Sequence, residues 1–179
     1  MASSKEDEIL VIAESLAREG GYGNFSFREI AKKIGIKSSS VHYYFPTKEQ
    51  LGATLAKNYR VNFFEKLGEP KTYKHDEALS HLRSMFRDSL LVNKKMCLCG
   101  LLGAEIDSLP EVISEEVALF FKDLEKWLIE VFTIGFKYKK RKARSCALRE
   151  IALLEGSMII AKAYKDSSTF DLILEHASS

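Results

Sequence analysis

The sequence predicts an all-α fold, and three observations carry that prediction. Apolar residues recur at helical spacing almost from end to end. No stretch alternates apolar and polar residues for long enough to make a convincing strand. Only 3 prolines and 10 glycines interrupt 179 residues, too few for a turn-rich all-β chain. With 46% apolar and 29% charged residues the chain can bury a real core, and its length suits one domain or two small ones.

Taken in order, residues 5–19 place Ile9, Ile12, Ala13, Leu16 and Ala17 on one stripe, and Gly20-Gly21 ends that helix. Ser26-Phe27-Arg28-Glu29 reads as a capping box and opens a helix carrying Ile30, Ala31 and Ile34, which stops at Gly35. A very short helix is predicted over 38–44 and is broken by Phe45-Pro46. Thr47-Lys48-Glu49-Gln50, a second capping box, opens a long helix to about Phe64. Further helices are predicted over 76–92, 100–107, 111–136, 144–165 and 168–176, each with its own apolar stripe.

Composition excludes some classes. No stretch approaches the roughly 18–20 uncharged apolar residues of a membrane span. The opening residues are acidic and polar without a signal-peptide core, so a cytoplasmic location and no membrane partner are expected. Residues 18–60 carry eight basic side chains against three acidic ones, whereas residues 61–179 carry equal numbers of each sign. A basic N-terminal third suits a polyanion or a simply solvated face.

Residues 26–45 combine a capped helix, a turn containing Gly35 and a second short helix rich in Ser, His and Tyr. That is the pattern of a helix-turn-helix, whose second helix enters the major groove while the first braces it. Ile30, Ala31, Ile34 and Val41 would pack the pair, leaving Lys37, Ser38, Ser39, Ser40, His42 and Tyr43 outward, where short hydroxyls and ring donors reach phosphates and base edges. Tyr44 and Phe45 are expected to supply the apolar underside.

Residues 8–55 resemble the N-terminal domain of the TetR family of bacterial transcriptional regulators. The resemblance rests on Phe25-Ser26-Phe27-Arg28-Glu29-Ile30-Ala31, on Ile34-Gly35-Ile36, and above all on the stretch from Ser40 through Tyr43-Tyr44-Phe45-Pro46-Thr47-Lys48 to Leu51. It implies a dimeric repressor of about nine helices, with a helix-turn-helix DNA-binding domain over 1–50 and a ligand-binding and dimerisation domain over 51–179. It also implies that Ser26 and Arg28 touch the DNA backbone, that Lys37, Ser38, Ser39 and Ser40 approach bases, that His42 and Tyr43 contact phosphates or a thymine methyl, and that Lys48 pairs with a phosphate. A helix N-terminus and an ammonium both favour an anion, which agrees with the last role. Lys37 stands where the family commonly has a Ser or Thr cap, so the cap is expected to shift to Ser38. His42 replaces the commoner Tyr.

In the body, the resemblance implies an effector pocket among the middle helices, with Phe63, Met85, Phe86, Met96, Leu102, Phe120, Phe121, Leu124 and Trp127 as candidate lining and Glu105 as a polar group orienting the ligand. The same residues would serve equally as plain core. Leu148, Ile151, Leu154, Met158, Ile159, Phe170 and Ile173 on the last two helices are more apolar positions than one small body needs, and Gly156 and Ser157 allow close helix approach. A homodimer on a palindromic operator is the expectation. Cys97, Cys99 and Cys146 read as packing residues or, for the first two, a redox pair. The basic run Lys137 to Arg144 reads as an exposed connector complementing a helix C-terminus, or as a surface for an acidic partner. No nucleophile–base set, phosphate loop or metal spacing is present, so neither an enzyme nor a cofactor is expected. The expected function is effector-responsive, sequence-specific binding of double-stranded DNA, with repression released by a small apolar or amphipathic molecule. A filled core acting through a protein partner or thiol oxidation is the alternative.

Overall fold

The computed structural model describes residues 4–175. Its described α-helices are α1 (Lys5–Gly20), α2 (Phe27–Ile34), α3 (Ser38–Tyr44), α4 (Lys48–Leu67), α5 (His75–Leu91), α6 (Leu98–Ala104), α7 (Glu111–Ile134), α8 (Lys140–Tyr164) and α9 (Ser168–Glu175). Short 3-10 turns stand at Tyr22–Asn24, Pro70–Thr72 and Ile106–Ser108, and no strand occurs among the described residues. The all-α expectation is met.

Local chemistry sets the ends. Ser4 Oγ accepts from Asp7 N–H at 3.1 Å while Asp7 returns the bond to Ser4 N–H at 3.0 Å, so α1 has a complete capping box. Gly21 ends α1 at φ +78°, donating its N–H to Ala17 O at 2.8 Å. Ser26 Oγ and Thr47 Oγ1 accept from Glu29 N–H and Gln50 N–H, each at 3.2 Å, at the starts of α2 and α4. Lys37, not Ser38, occupies the cap of α3, in extended geometry and with no side-chain hydrogen bond. The predicted shift of the cap does not occur.

Two other expectations are corrected. The helix predicted over 100–107 ends at Ala104, and the chain tightens into a 3-10 turn as Ser108 Oγ donates to Glu105 O at 2.8 Å. α8 begins at Lys140, ahead of the expected residue 144. Lysine and arginine are good helix formers, so much of the basic run is helix rather than connector. Its charges therefore stand at a helix N-terminus, where the dipole opposes them.

The chain packs as two compact units. One takes the chain through Asn62 together with Leu98–Leu119, and the other takes Phe63–Cys97 and the chain from Phe120 onward. This differs from the division at residue 50, because α6 and the first part of α7 pack with the N-terminal helices. The first unit closes over Ile9, Phe25, Ile30, Val41, Leu51, Leu102 and Ile113, all buried. The second closes over Leu67, Leu82, Phe86, Phe120, Leu124, Leu128, Leu154 and Phe170. Each such side chain contributes about 1.5–3 kcal/mol by leaving water. Polar ties orient the second unit's helices. Arg83 donates to both oxygens of the buried Glu150 at 2.7 and 2.9 Å, Arg87 to both of Asp171 at 2.8 and 2.9 Å, and Trp127 Nε1 to Gly68 O at 2.8 Å.

Candidate nucleic-acid interface

α2 and α3 lock together through Ile30, Ala31 and Val41, all buried, with Ile34 half-buried at the edge. Gly35 makes the turn in the left-handed region at φ +72° and ψ +33°, and Ile36 N–H donates to Ala31 O at 3.0 Å. Val41 and Phe45, one helical turn apart, point inward. That fixes the rotation of α3 and sends Ser39, His42 and Tyr43, at i, i+3 and i+4, outward as one stripe. Tyr43 is 82% exposed, and Tyr44, expected beneath the helix, is itself exposed, with the two rings edge to face at 5.2 Å. His42 is exposed but not free to swing, because its ring meets Phe27 edge to face at 4.5 Å. Ser26, Arg28 and Lys37 are exposed beside this stripe, while Ser38 and Ser40 are half-buried.

Lys48 opens α4 at the far edge of the surface and is half-buried. Its ammonium sits over the rings of Tyr22 at 4.2 Å and Phe25 at 4.7 Å, and those rings meet edge to face at 5.6 Å. Burial pushes the Lys48 pKa below the usual lysine range, while the Glu105 carboxylate pulls it back up. Burial, with the charge of Glu49, raises the Tyr22 phenol. The face thus offers backbone-seeking cations, hydroxyl and ring donors, and a protruding phenol, all on a rigid helix pair. That combination fits a duplex groove and its flanking phosphates.

Two family descriptions match the chain. The model "Bacterial regulatory proteins, tetR family" covers residues 9–53, and "Transcriptional regulator LmrA/YxaF-like, C-terminal domain" covers residues 75–176. The chain belongs to the TetR family. Among curated relatives it is similar to an uncharacterized HTH-type transcriptional regulator in the lacX 3' region of Lactococcus lactis subsp. lactis, 26% identical over 182 residues, covering 94% of this chain and 90% of that protein. Among solved structures, a TetR transcriptional regulator from Legionella pneumophila matches with TM-score 0.86 and 29% identity over 96% of this chain and 94% of its own. A TetR-family regulator from Agrobacterium tumefaciens matches with TM-score 0.81 and 30% identity over 94% and 93%. As a TetR-family protein this is a transcriptional regulator with a DNA-binding helix-turn-helix, not an enzyme. Among the described residues, no helix is long and apolar enough to cross a membrane.

The other residues singled out from the sequence divide between the units of this TetR-family chain. Phe63, Phe86, Met96, Phe120, Leu124 and Trp127 are buried in the second unit, with Met85 and Phe121 half-buried there. Leu102 and Glu105 lie in the first unit, and Glu105 Oε2 accepts from Tyr22 N–H at 2.9 Å. Glu105 therefore grips the turn ahead of the helix-turn-helix rather than joining that apolar cluster. On the last two helices, Leu154, Met158 and Phe170 fill the second unit's own interior and Ile151 is buried, so these four are not outward-facing positions. Leu148 and Ile159 are exposed and Ile173 is half-buried, and Ile160, Tyr164 and Leu172 join them outside. Helical spacing identified the stripe but not which side of it faces the subunit's own core. Cys97 and Cys99 are buried and Cys146 half-buried, and none of the three is in a disulfide. Sequence reasoning missed Tyr22 and Phe25 as the seat of Lys48. The signal for it was the Gly20-Gly21 pair followed by an aromatic.

Proposed function

We propose that this TetR-family chain is a homodimeric repressor released from a palindromic operator by a small apolar or amphipathic effector held in the second unit. The observation that carries the effector reading is the cluster of rings there. Phe63 lies edge to face with Phe120 at 5.1 Å and with Phe86 at 6.0 Å, and Phe120 meets Phe121 at 5.3 Å. Rings that touch edge to face with half-exposed Phe121 and Met85 at their margin make a deformable apolar lining, suited to hydrocarbon or aromatic bodies. α4 carries both Lys48 and Phe63, so an effector that favours one setting of this helix shifts DNA affinity by its differential binding, typically ~1–3 kcal/mol.

Operator contacts are assigned to Ser26, Arg28 and Lys48 on phosphates and to Lys37, Ser38, Ser39, Ser40, His42 and Tyr43 in the groove. The dimer is assigned to the outward face of α8 and α9, with Leu148, Ile159, Ile160, Tyr164 and Leu172. Gly156 supports it, since a Cβ built there meets nothing within 4 Å and leaves room for a second helix.

The experiment uses the chain's one tryptophan, Trp127, which lies in the second unit with its ring 6.5 Å from that of Tyr73. Long-chain acyl compounds, planar aromatic amphiphiles and small polar metabolites are titrated against its fluorescence. The same compounds are tested for release of a duplex enriched by the protein from a random-sequence pool. An apolar or amphipathic class should move both signals at matching concentrations. Release by polar metabolites alone, or by none of the classes, would refute the effector reading while leaving DNA binding intact.

A further inference from the structure

Glu105 lies in the turn that closes α6, outside the segment matched by the N-terminal family model, yet it is built into the DNA-binding helices. Its Oε2 accepts from Tyr22 N–H at 2.9 Å, a charge-assisted bond to backbone. The preceding residue is Gly21 at φ +78°, where an ideal Cβ would stand 1.8 Å from Glu105 Oε1 and 2.7 Å from its Cδ. The carboxylate thus occupies the space that any side chain at position 21 would fill.

The ring of Tyr22 is held from its other sides. Lys48 Nζ lies over its face at 4.2 Å and Phe25 meets it at 5.6 Å. At Gly52 on α4, a Cβ would come within 2.5 Å of Ile113 Cδ1 from α7 and 3.1 Å of Tyr22 Cε2, so the α6–α7 corner and Tyr22 both crowd the same bare stretch of α4. The Glu105 charge also acts on the Lys48 ammonium. A lysine side chain free in solvent loses much rotamer freedom when it grips a phosphate, whereas one already seated over two rings loses less.

We propose that Glu105 is a positioning residue for phosphate binding. By holding the Tyr22 backbone, it holds the aromatic seat from which Lys48 presents its ammonium at the start of α4. A displacement of the α6–α7 corner is then felt at a DNA-backbone contact. The inference rests on the reading of Lys48 as a phosphate ligand, and it gives that contact a means of regulation.

The test enriches a duplex with the wild-type full chain from a random-sequence pool and measures the affinity of variants for it across a salt series. Lys48→Ala lowers affinity about tenfold and flattens the salt slope by about one counterion per subunit. Glu105→Ala lowers it about fivefold with the same flattening, and the double variant binds no worse than Lys48→Ala alone. Glu105→Gln keeps an oxygen for Tyr22 N–H and recovers most of the loss. Should Glu105→Ala not fold, Glu105→Asp, one methylene too short for that bond, carries the same cycle. Additive losses, an unchanged salt slope, or wild-type affinity in the Glu105 variant while Lys48→Ala is weakened would overturn the proposal and leave the Lys48 contact standing. An undiminished Lys48→Ala, or no duplex enriched at all, would remove both.

Discussion

Glu155 on α8 carries its carboxyl into the interior of the second unit, where Oε1 is sealed from water and finds no hydrogen-bond partner among the described residues. Burial pushes its pKa up from 4.5 to about 7, and the Cys97 thiol, which donates to the carboxyl, only partly offsets that. The consequence for stability has a definite sign. Below about pH 4.5 the group is protonated in both folded and unfolded chains and costs nothing. Between about pH 4.5 and 7 the unfolded chain releases the proton while the folded one keeps it, so stability falls as pH rises. Above about pH 7 the folded state ionises as well and the loss levels off. A difference of this size is worth about 3 kcal/mol. Glu155→Gln should therefore melt progressively higher than wild type as pH is raised from 4 to 8, by several degrees at the upper end. Melting curves by circular dichroism decide it, and parallel pH profiles for the two proteins would refute the assignment. Cys97→Ala, which removes the thiol donor, should steepen the wild-type decline.

At the scale of helices, caps govern what could be read in advance. The starts of α2 and α4 were legible because Ser26 and Thr47 are good caps three residues ahead of Glu29 and Gln50. The start of α8 was not, and at α3, whose bounds 38–44 were read correctly, the cap was misplaced by one residue, because the caps are Lys139 and Lys37, neither of which makes a side-chain bond to the helix. A lysine in that place carries no start signal and adds a positive charge where the dipole is already positive. At α8 the difficulty compounds, since Lys140, Arg141 and Lys142 fill the first turn. Lys142 Nζ settles over the Tyr138 ring at 3.6 Å, and Arg144 bonds Glu125 at 2.6 Å. Lys139→Ser should accordingly stabilise the protein by about 1 kcal/mol, and Arg141→Glu by about 0.5 kcal/mol, with the second gain shrinking in high salt. Chemical denaturation at low and high salt measures both. A loss of stability from either change would mean that the basic turn is held by something other than its helix.

For the molecule as a whole, sequence periodicity separates apolar from polar faces but not an interior from a surface awaiting a second subunit. This is why the stripe on α8 and α9 was legible but not which of its residues are buried in the chain itself, while the helices of the helix-turn-helix, whose apolar residues have one local destination, were read almost completely. The distinction is now testable within one helix. Leu154 and Ile159 lie little more than one turn apart on α8, the first fully buried and the second 54% exposed. Leu154→Ala should cost about 2–5 kcal/mol of fold stability by opening a cavity. Ile159→Asp should leave the subunit's fold nearly untouched, because its side chain is already largely in water, yet in the dimer proposed above it would set a charge against its own copy. Sedimentation should then find monomers. Affinity for a palindromic duplex should fall by a hundredfold or more, because each half-site loses the effective concentration supplied by its tethered neighbour. An Ile159→Asp protein that sediments as a dimer would move the interface off this face of α8. A monomer that keeps full affinity would show instead that one helix-turn-helix suffices.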